Sequence, residues 1–307
     1  MLEIVPFEPE MAEAVARCYS EVAAPAPFCE AVGGGWFAEL KKLERQPLAE
    51  EQVLVAVAEG EVVGFAHMGL ARPATDDWHC KGEPGVIRFL AYRVRERAVG
   101  AALLEAAEGW LRERGRPTIV AGHCNFMYPF YHLPFSHISE RMAHVPPLFG
   151  MAGYEVEESE VFFAWEDFEA PEVERPEVEV EIVGGWQKQV SEFGPGVELR
   201  VLREGKRVGV CEIPTLGSDE WRPELKEWCF CTGLHVDDDI QGRGLGKYLL
   251  ARGLREARER GPRHALISTD WNNHRAYLFY TNFDYRFLDR TFSFRKALKA
   301  ARRKGTE

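Results

Sequence analysis

No stretch of about 18 uncharged apolar residues occurs in this 307-residue chain, so no helical membrane span is expected. The opening segment, MLEIVPFEPEMAEAV, lacks a basic region followed by an apolar one, so no signal peptide is expected. The chain also lacks paired cysteine spacings. Its seven cysteines are odd in number and scattered. Cys229-x-Cys231 has no zinc or redox spacing, and on a strand both side chains would point to one face. A disulfide framework is therefore not expected, and a reducing cytoplasm is the simple reading. An excess of basic residues is missing as well: the net charge is −11, which argues against nonspecific nucleic-acid binding. The deficit is uneven. Residues 1–175 carry a net charge of −14 and residues 176–307 carry +3, so the second half suits a polyanionic small ligand better.

What is present is an ample hydrophobic fraction, 46%, in a chain long enough for one large domain or two ordinary ones. The acidic run EDFEAPEVERPEVEVEIV, 166–183, holds two prolines and little helical periodicity. It reads as a linker, and it divides the chain into domains at 1–168 and 177–300 joined by 169–176. The first half reads as a strand near 2–6, helices near 9–22 and 35–45, and a hairpin turning at Gly60. A strand GVIRFLAYRV, a helix ending at Gly115, a strand TIVAG, an aromatic loop, a helix near 138–151 and closing strands follow. The second half repeats this order. A hairpin turns at Glu204-Gly205; strand WCFCTGLHV, loop DDDIQGRGLG, a helix ending at Gly261, strand HALISTD, helix NHRAYLFYTNF and a strand pair follow. The pattern is an internal duplication of a mixed α/β unit whose second copy has shortened or missing opening helices.

The loop of the second copy carries the chemistry. A strand ending at Val236, a glycine-rich loop and then a helix present free backbone N–H groups and a favourable dipole to an anion. Gly242, Gly244 and Gly246 permit close approach or positive φ, and Arg243 and Lys247 add charge. A magnesium-nucleotide loop needs Ser or Thr after Gly-Lys, but Tyr248 follows Lys247. A dinucleotide fingerprint needs Gly-x-Gly-x-x-Gly after a first strand. This loop reads Gly-x-Gly-x-Gly after the fourth.

The pattern it does match is Gln/Arg-x-x-Gly-x-Gly/Ala, at Gln241, Gly244 and Gly246 after Leu234-His235-Val236. Asn273, Ala276 and Tyr280 follow at matching steps. Over about 178–296 this resembles the GNAT superfamily of N-acetyltransferases. The family's Gly-Phe after that tyrosine is Asp284-Tyr285 here. The resemblance implies two tandem GNAT-like acyl-CoA N-acyltransferase domains of mixed α/β fold, in a layout like that of tandem acetyltransferases such as mycothiol synthase. It implies acetyl-CoA as cosubstrate, with Leu234, His235, Val236, Gln241, Gly242, Arg243, Gly244, Leu245, Gly246, Lys247 and Asn273 around it. A backbone N–H on the strand would polarise the thioester oxygen, and Tyr280 would protonate the departing thiolate. Tyr280 also suits an apolar helix face and Asn273 also suits a helix N-cap. No carboxylate alternates with Val236 on its strand, which leaves Asp270 and His235 as base candidates.

The corresponding stretch of the first copy is YRVRERAVGAALL. Arg95 matches Gln241, Ala98 matches Gly244 and Gly100 matches Gly246, while Phe149 and Met142 stand where Tyr280 and Asn273 do. Phenylalanine has no proton to donate. The first domain is thus expected to be a degenerate GNAT-like domain without transfer activity. Its aromatic loop, 123–144, holds four histidines and reads as interdomain packing or as an acceptor-pocket wall or lid. A metal site from His132 and His137 is not expected, because their spacing is irregular and no carboxylate accompanies them in sequence. The expected function is acetyl transfer to a primary amine of a small molecule in a monomer or homodimer, with no metal, nucleic acid or membrane. A protein or peptide acceptor, or a non-catalytic acyl-CoA sensor, is the alternative.

Overall fold

The computed structural model describes residues 1–39, 48–72, 83–190, 193–217 and 223–298. The chain forms two compact units. One is Met1–Glu160 together with the segment from Asp289; the other is Val161–Leu288. The expected linker 169–176 therefore lies inside the second unit, and the last strand expected of the second domain belongs to the first.

In the first unit, β1 (Leu2–Pro6) is followed by α1 (Ala12–Ala23) and α2 (Gly34–Glu39). The rest of the helix expected over 35–45 falls outside the described residues. Val15, Cys18, Tyr19 and Val22 give α1 one buried face at helical spacing. The hairpin β2 (Leu48–Ala58) and β3 (Glu61–Ala71) turns through Glu59 and Gly60, both at positive φ. β4 (Gly85–Tyr92) is buried along its whole length and reads as a run of apolar residues rather than an alternation, as a central strand should. α3 (Arg97–Glu113) then returns the chain to β5 (Thr118–Ala121), which runs parallel to β4.

The aromatic loop folds into this unit's own core. Tyr128, Phe130 and Tyr131 are buried, and Tyr19 of α1 meets Tyr128 and Phe130 edge-on. These contacts all lie within the first unit. The loop includes the short strand β6 (Ile138–Ser139), and α4 spans only Val145–Met151. The expected helix over 138–151 is shorter because Pro146 and Pro147 fit a first turn but not a helix interior. β7 (Glu155–Trp165) begins in this unit and ends in the next.

The second unit opens with β8 (Glu181–Val190), which passes almost directly into the hairpin β9 (Gly194–Arg203) and β10 (Lys206–Pro214). No helix separates β8 from β9, so the opening helices are missing rather than shortened. β11 (Trp228–Cys231) and β12 (Gly233–Val236) make up the fourth strand in two pieces. α5 (Leu245–Arg258), β13 (His264–Asp270) and α6 (His274–Thr281) follow. Cys211 and Ile213 of β10 pack on Gly253 of α5, where an added Cβ would lie 2.8 Å from the Ile213 side chain.

β14 (Arg286–Ala297) returns to the first unit, pairing antiparallel with β5 from Phe294↔Ala121 to Ala297↔Thr118. A buried polar knot fixes it there. Asp289 accepts from His132 Nε2 at 2.9 Å, from Ser139 Oγ at 2.5 Å and from the Arg290 N–H at 2.8 Å. Asp289→Ala leaves a buried imidazole and a hydroxyl without their acceptor and is expected to cost about 3 kcal/mol or more. Asp289→Asn, which retains an acceptor, should cost less. Denaturant unfolding of the full chain measures both.

Candidate active site

The site begins where two parallel strands part. β11 pairs with β13 from Trp228↔His264 to Cys231↔Ile267. Beyond Cys231 the ladder stops, and β12 pairs instead with β10, from Glu212↔Gly233 to Gly209↔Val236. Thr232, at the junction, donates its N–H to the Glu212 carbonyl at 3.0 Å. β13 meanwhile runs on to Asp270. The open cavity beside β12, bounded by the loop, the start of α5 and α6, has a volume of about 480 Å³, within the usual range for small-molecule sites.

Every cofactor-binding residue expected from sequence lines this cavity except Arg243, which is exposed on the loop; Tyr280 lines it too. Ala276, the small residue of the same motif, lines it as well; Ile240, Arg275 and Phe279 also line it and belong to no motif. Arg275 had a faint signal as a basic residue two positions after Asn273.

The helix end at the cavity is built for an anion. Gly244 is the N-cap of α5 at φ 85, with no side-chain cap, and Tyr248 is the first residue whose N–H bonds back to Gly244. The N–H groups of Leu245, Gly246 and Lys247 therefore have no acceptor in the helix. Gly246 has ordinary helical geometry, yet a Cβ there would meet no protein atom within 4 Å. Nothing in the protein's own packing requires glycine at that point, and the space beside it belongs to the cavity.

Gln241 braces the loop. Its Nε2 donates to the Val236 carbonyl at 2.6 Å and to Asp238 Oδ1 at 2.8 Å, while its Oε1 accepts from Arg275 of α6. None of the three aspartates lines the cavity. Asp237 takes His235 Nε2 at 3.2 Å, Asp238 takes Gln241, and Asp239 takes Arg203 at 2.7 Å. The Arg203 guanidinium holds the Asp239 carboxyl below its ordinary range.

Asn273 caps α6 through Oδ1, accepting from the Ala276 N–H at 3.1 Å, so its N-cap role is real and only its amide NH2 end remains for a ligand. The Tyr280 ring is buried, edge-on to Phe163 at 5.9 Å. Of the two base candidates, Asp270 does not line the cavity and uses Oδ1 to accept from the Asn272 N–H at 2.7 Å. His235 does line it, but pairs with Asp237.

The matching place in the first unit is filled. A Cβ on Gly100 would lie 2.6 Å from the Tyr92 ring, which covers the helix end that Gly246 leaves open. Tyr92 donates its hydroxyl to the His144 carbonyl at 2.5 Å, and His144 Nε2 donates to the Tyr92 carbonyl at 2.7 Å. Burial pushes the Tyr92 phenol up to about 12, so it remains a donor. The N–H groups of Val99 and Gly100 bond to the Glu96 carbonyl. Phe149 is fully buried and stacks on Phe294 at 5.1 Å, and Met142 is buried beside the Tyr131 hydroxyl. Only about 190 Å³ remains between Tyr92, Arg95, His144 and α4.

Three of the four histidines of the aromatic loop do have carboxylates, contrary to the sequence expectation, because the partners lie far along the chain. His132 has Asp289; the Nε2 atoms of His123 and His137 lie 3.2 and 3.5 Å from Glu158. His123, Cys124 and His137 bring three possible metal-ligand atoms within 4.8 Å. Both Nδ1 atoms accept backbone N–H bonds, from Asn125 at 3.2 Å and Cys124 at 3.1 Å. Those bonds put the ring protons on Nε2, facing Glu158.

Residues 159–285 match the family model described as the acetyltransferase (GNAT) family. No curated protein matches the chain. A solved tandem GNAT protein from the clavulanic acid biosynthesis pathway aligns at a TM-score of 0.60 and 13% identity, over 97% of this chain and 98% of that one. A GCN5-related N-acetyltransferase from Sphaerobacter thermophilus aligns at 0.61 and 17% identity, over 96% and 95%. The glucosamine N-acetyltransferase region of a fungal multi-domain GH3 β-N-acetylglucosaminidase aligns at 0.65 and 14% identity, over 96% of this chain and 38% of that longer one. At these identities the likeness is one of fold.

Only one of the two helix ends presents free amides to its cavity, so one anion site per chain is the expected stoichiometry. Isothermal titration of the full chain with coenzyme A should read one site. Gly246→Val should weaken it more than about 10-fold, roughly 1.4 kcal/mol, with no loss of thermal stability.

Proposed function

We propose, from the premise that this chain is a tandem-domain protein of the GNAT superfamily, that its second unit transfers an acetyl group from acetyl-CoA to a primary amine of a small molecule. The observation that carries the proposal is the cavity beside β12. Three unbonded helix amides, the Asn273 amide and Tyr280 all line one opening, and the matching opening in the first unit is reduced to about 190 Å³ beside Tyr92.

The residues divide the work as follows. The N–H groups of Leu245, Gly246 and Lys247 receive the pyrophosphate, with the α5 dipole and the Lys247 charge behind them. Gln241 keeps the loop in that shape. The extended arm of acetyl-CoA lies along β12, whose edge toward β13 has no ladder partner and can bond it strand to strand. A backbone N–H on that edge polarises the thioester oxygen as negative charge develops there. The amine attacks the carbonyl carbon, the C–S bond breaks, and the Tyr280 hydroxyl gives its proton to the thiolate. The first unit supports the chain without transferring acetyl groups: Phe149 has no proton to give and Tyr92 occupies the cofactor position. The fungal region similar to this chain acts, by its name, on glucosamine, which supports a small amine as acceptor here.

Tyr280→Phe tests the reading. Acetyl-CoA binding by titration should be unchanged, and kcat for thiol release with an accepted amine should fall on the order of 100-fold. An unchanged kcat would remove Tyr280 from the reaction.

A further inference from the structure

The face of the β8–β9–β10–β12 sheet turned away from α5 carries charge where the first unit carries helices. Cys211 and Ile213 pack against α5, so Glu212 between them points to the opposite face. The register places Glu198 directly across β9 from Glu212, and Gly233 directly across β12. A Cβ on Gly233 would lie 3.0 Å from Glu212 Oε2, so the carboxylate lies against the strand at the point where β12 leaves β13. Leu234, the first cavity-lining residue, is the next residue along. His235 and Arg200 share the same face by alternation.

Two carboxylates directly opposed across a strand pair destabilise it. Arg200 relieves one of them: it donates Nε to Glu198 Oε1 at 2.5 Å and Nη2 to Oε2 at 3.0 Å, and it holds the Glu198 carboxyl below its ordinary range. His235 is taken by Asp237. Glu212 makes no ion pair of its own among the described residues; it shares the field of Arg200, which is bonded to Glu198, so two carboxylates face one guanidinium. One net negative charge is therefore left on this face, across from Gly233, the residue before the cavity-lining Leu234, and no opening helix of this unit covers it.

We infer that Glu212 receives the ammonium group of the acceptor and selects for cationic amines, an inference that rests on the transferase reading above. The carboxylate accepts one proton from the ammonium and releases it to water. The freed nitrogen attacks the thioester carbon; the C–N bond forms and the C–S bond breaks. The surplus proton on nitrogen leaves to water, and the thiolate takes the Tyr280 proton, which solvent replaces. An acceptor with a carboxylate near its amine would set like charges together at Glu212 and is rejected.

The test compares two acceptors of equal length, 1,2-diaminoethane and glycine, whose second group lies next to the reacting amine, by thiol release from acetyl-CoA with the full chain. The unmodified protein should prefer the diamine at least 10-fold in kcat/KM. Glu212→Gln should lose most of that preference through KM while titration shows coenzyme A affinity unchanged. Glu212→Lys should turn the preference toward glycine, whose carboxylate lies beside its amine, which a loss of folding could not do. A selectivity that Glu212→Gln and Glu212→Lys leave unmoved overturns this inference alone. Coenzyme A binding with no thiol release from either amine overturns it together with the transferase reading.

Discussion

The site depends on one departure from regular pairing. A parallel strand pair that stays bonded to its end leaves no room between its strands; a pair that separates leaves two backbone edges needing partners. β12 parts from β13 after Cys231 because β10 holds it on the other side, through four paired positions. Gly233 suits the bend, since a side chain there would crowd Glu212. The parting sets the position of everything else. It aims the end of β12 at the N-terminus of α5, sends β13 toward Asn273 and α6, and leaves a free strand edge between them.

The first unit shows what happens to the same layout when the ligand contributes nothing. Its parallel pair β4 and β5 also bonds over only three residues, from Gly85↔Ile119 to Ile87↔Ala121. There β4 continues two positions further than β12 by the alignment of Gly100 with Gly246, and Tyr92 sits in that added stretch. The phenol ring fills the opening, and its hydroxyl and carbonyl are both tied to His144. α3 starts two positions earlier than α5 by the same alignment, so the amides that would face an anion bond to Glu96 instead. A cleft lined by backbone donors cannot stay empty and dry without cost. The first unit satisfies those donors with its own chain, whereas the second leaves them for a ligand.

Much of this was legible in the residues. The duplication, the helix and strand order, the loop and the cavity-lining side chains all follow from local signals: glycine spacing, hydrophobic period and a short motif. Tyr92 was readable as a residue but not as a plug, because its position depends on where a strand stops. Glu212 escaped for a similar reason. Counting along the strand that ends at Val236 finds no carboxylate; the carboxylate comes from the neighbouring strand, and only the register puts it beside Gly233. Asp289 and Glu158 reach the loop histidines from 157 positions away in one case and from a different strand in the other. Long-range pairing of this kind has no local signature.

The chain path bears on how the two units can be used. A duplication read from sequence invites cutting at the linker, with each half taken as a domain. The compact units do not follow that cut: β7 runs from one unit into the other, and the last strand after Leu288 pairs with β5 and β6 of the first. The second unit is thus an insertion between two strands of the first, held at both ends. A fragment covering 177–300 would carry β14 without β5, exposing a strand edge and leaving Asp289 without His132 and Ser139. It would also lack Val161 and Phe163, which belong to the core around α5 and Tyr280. A fragment cut at the linker therefore loses strand and core partners that the whole chain supplies.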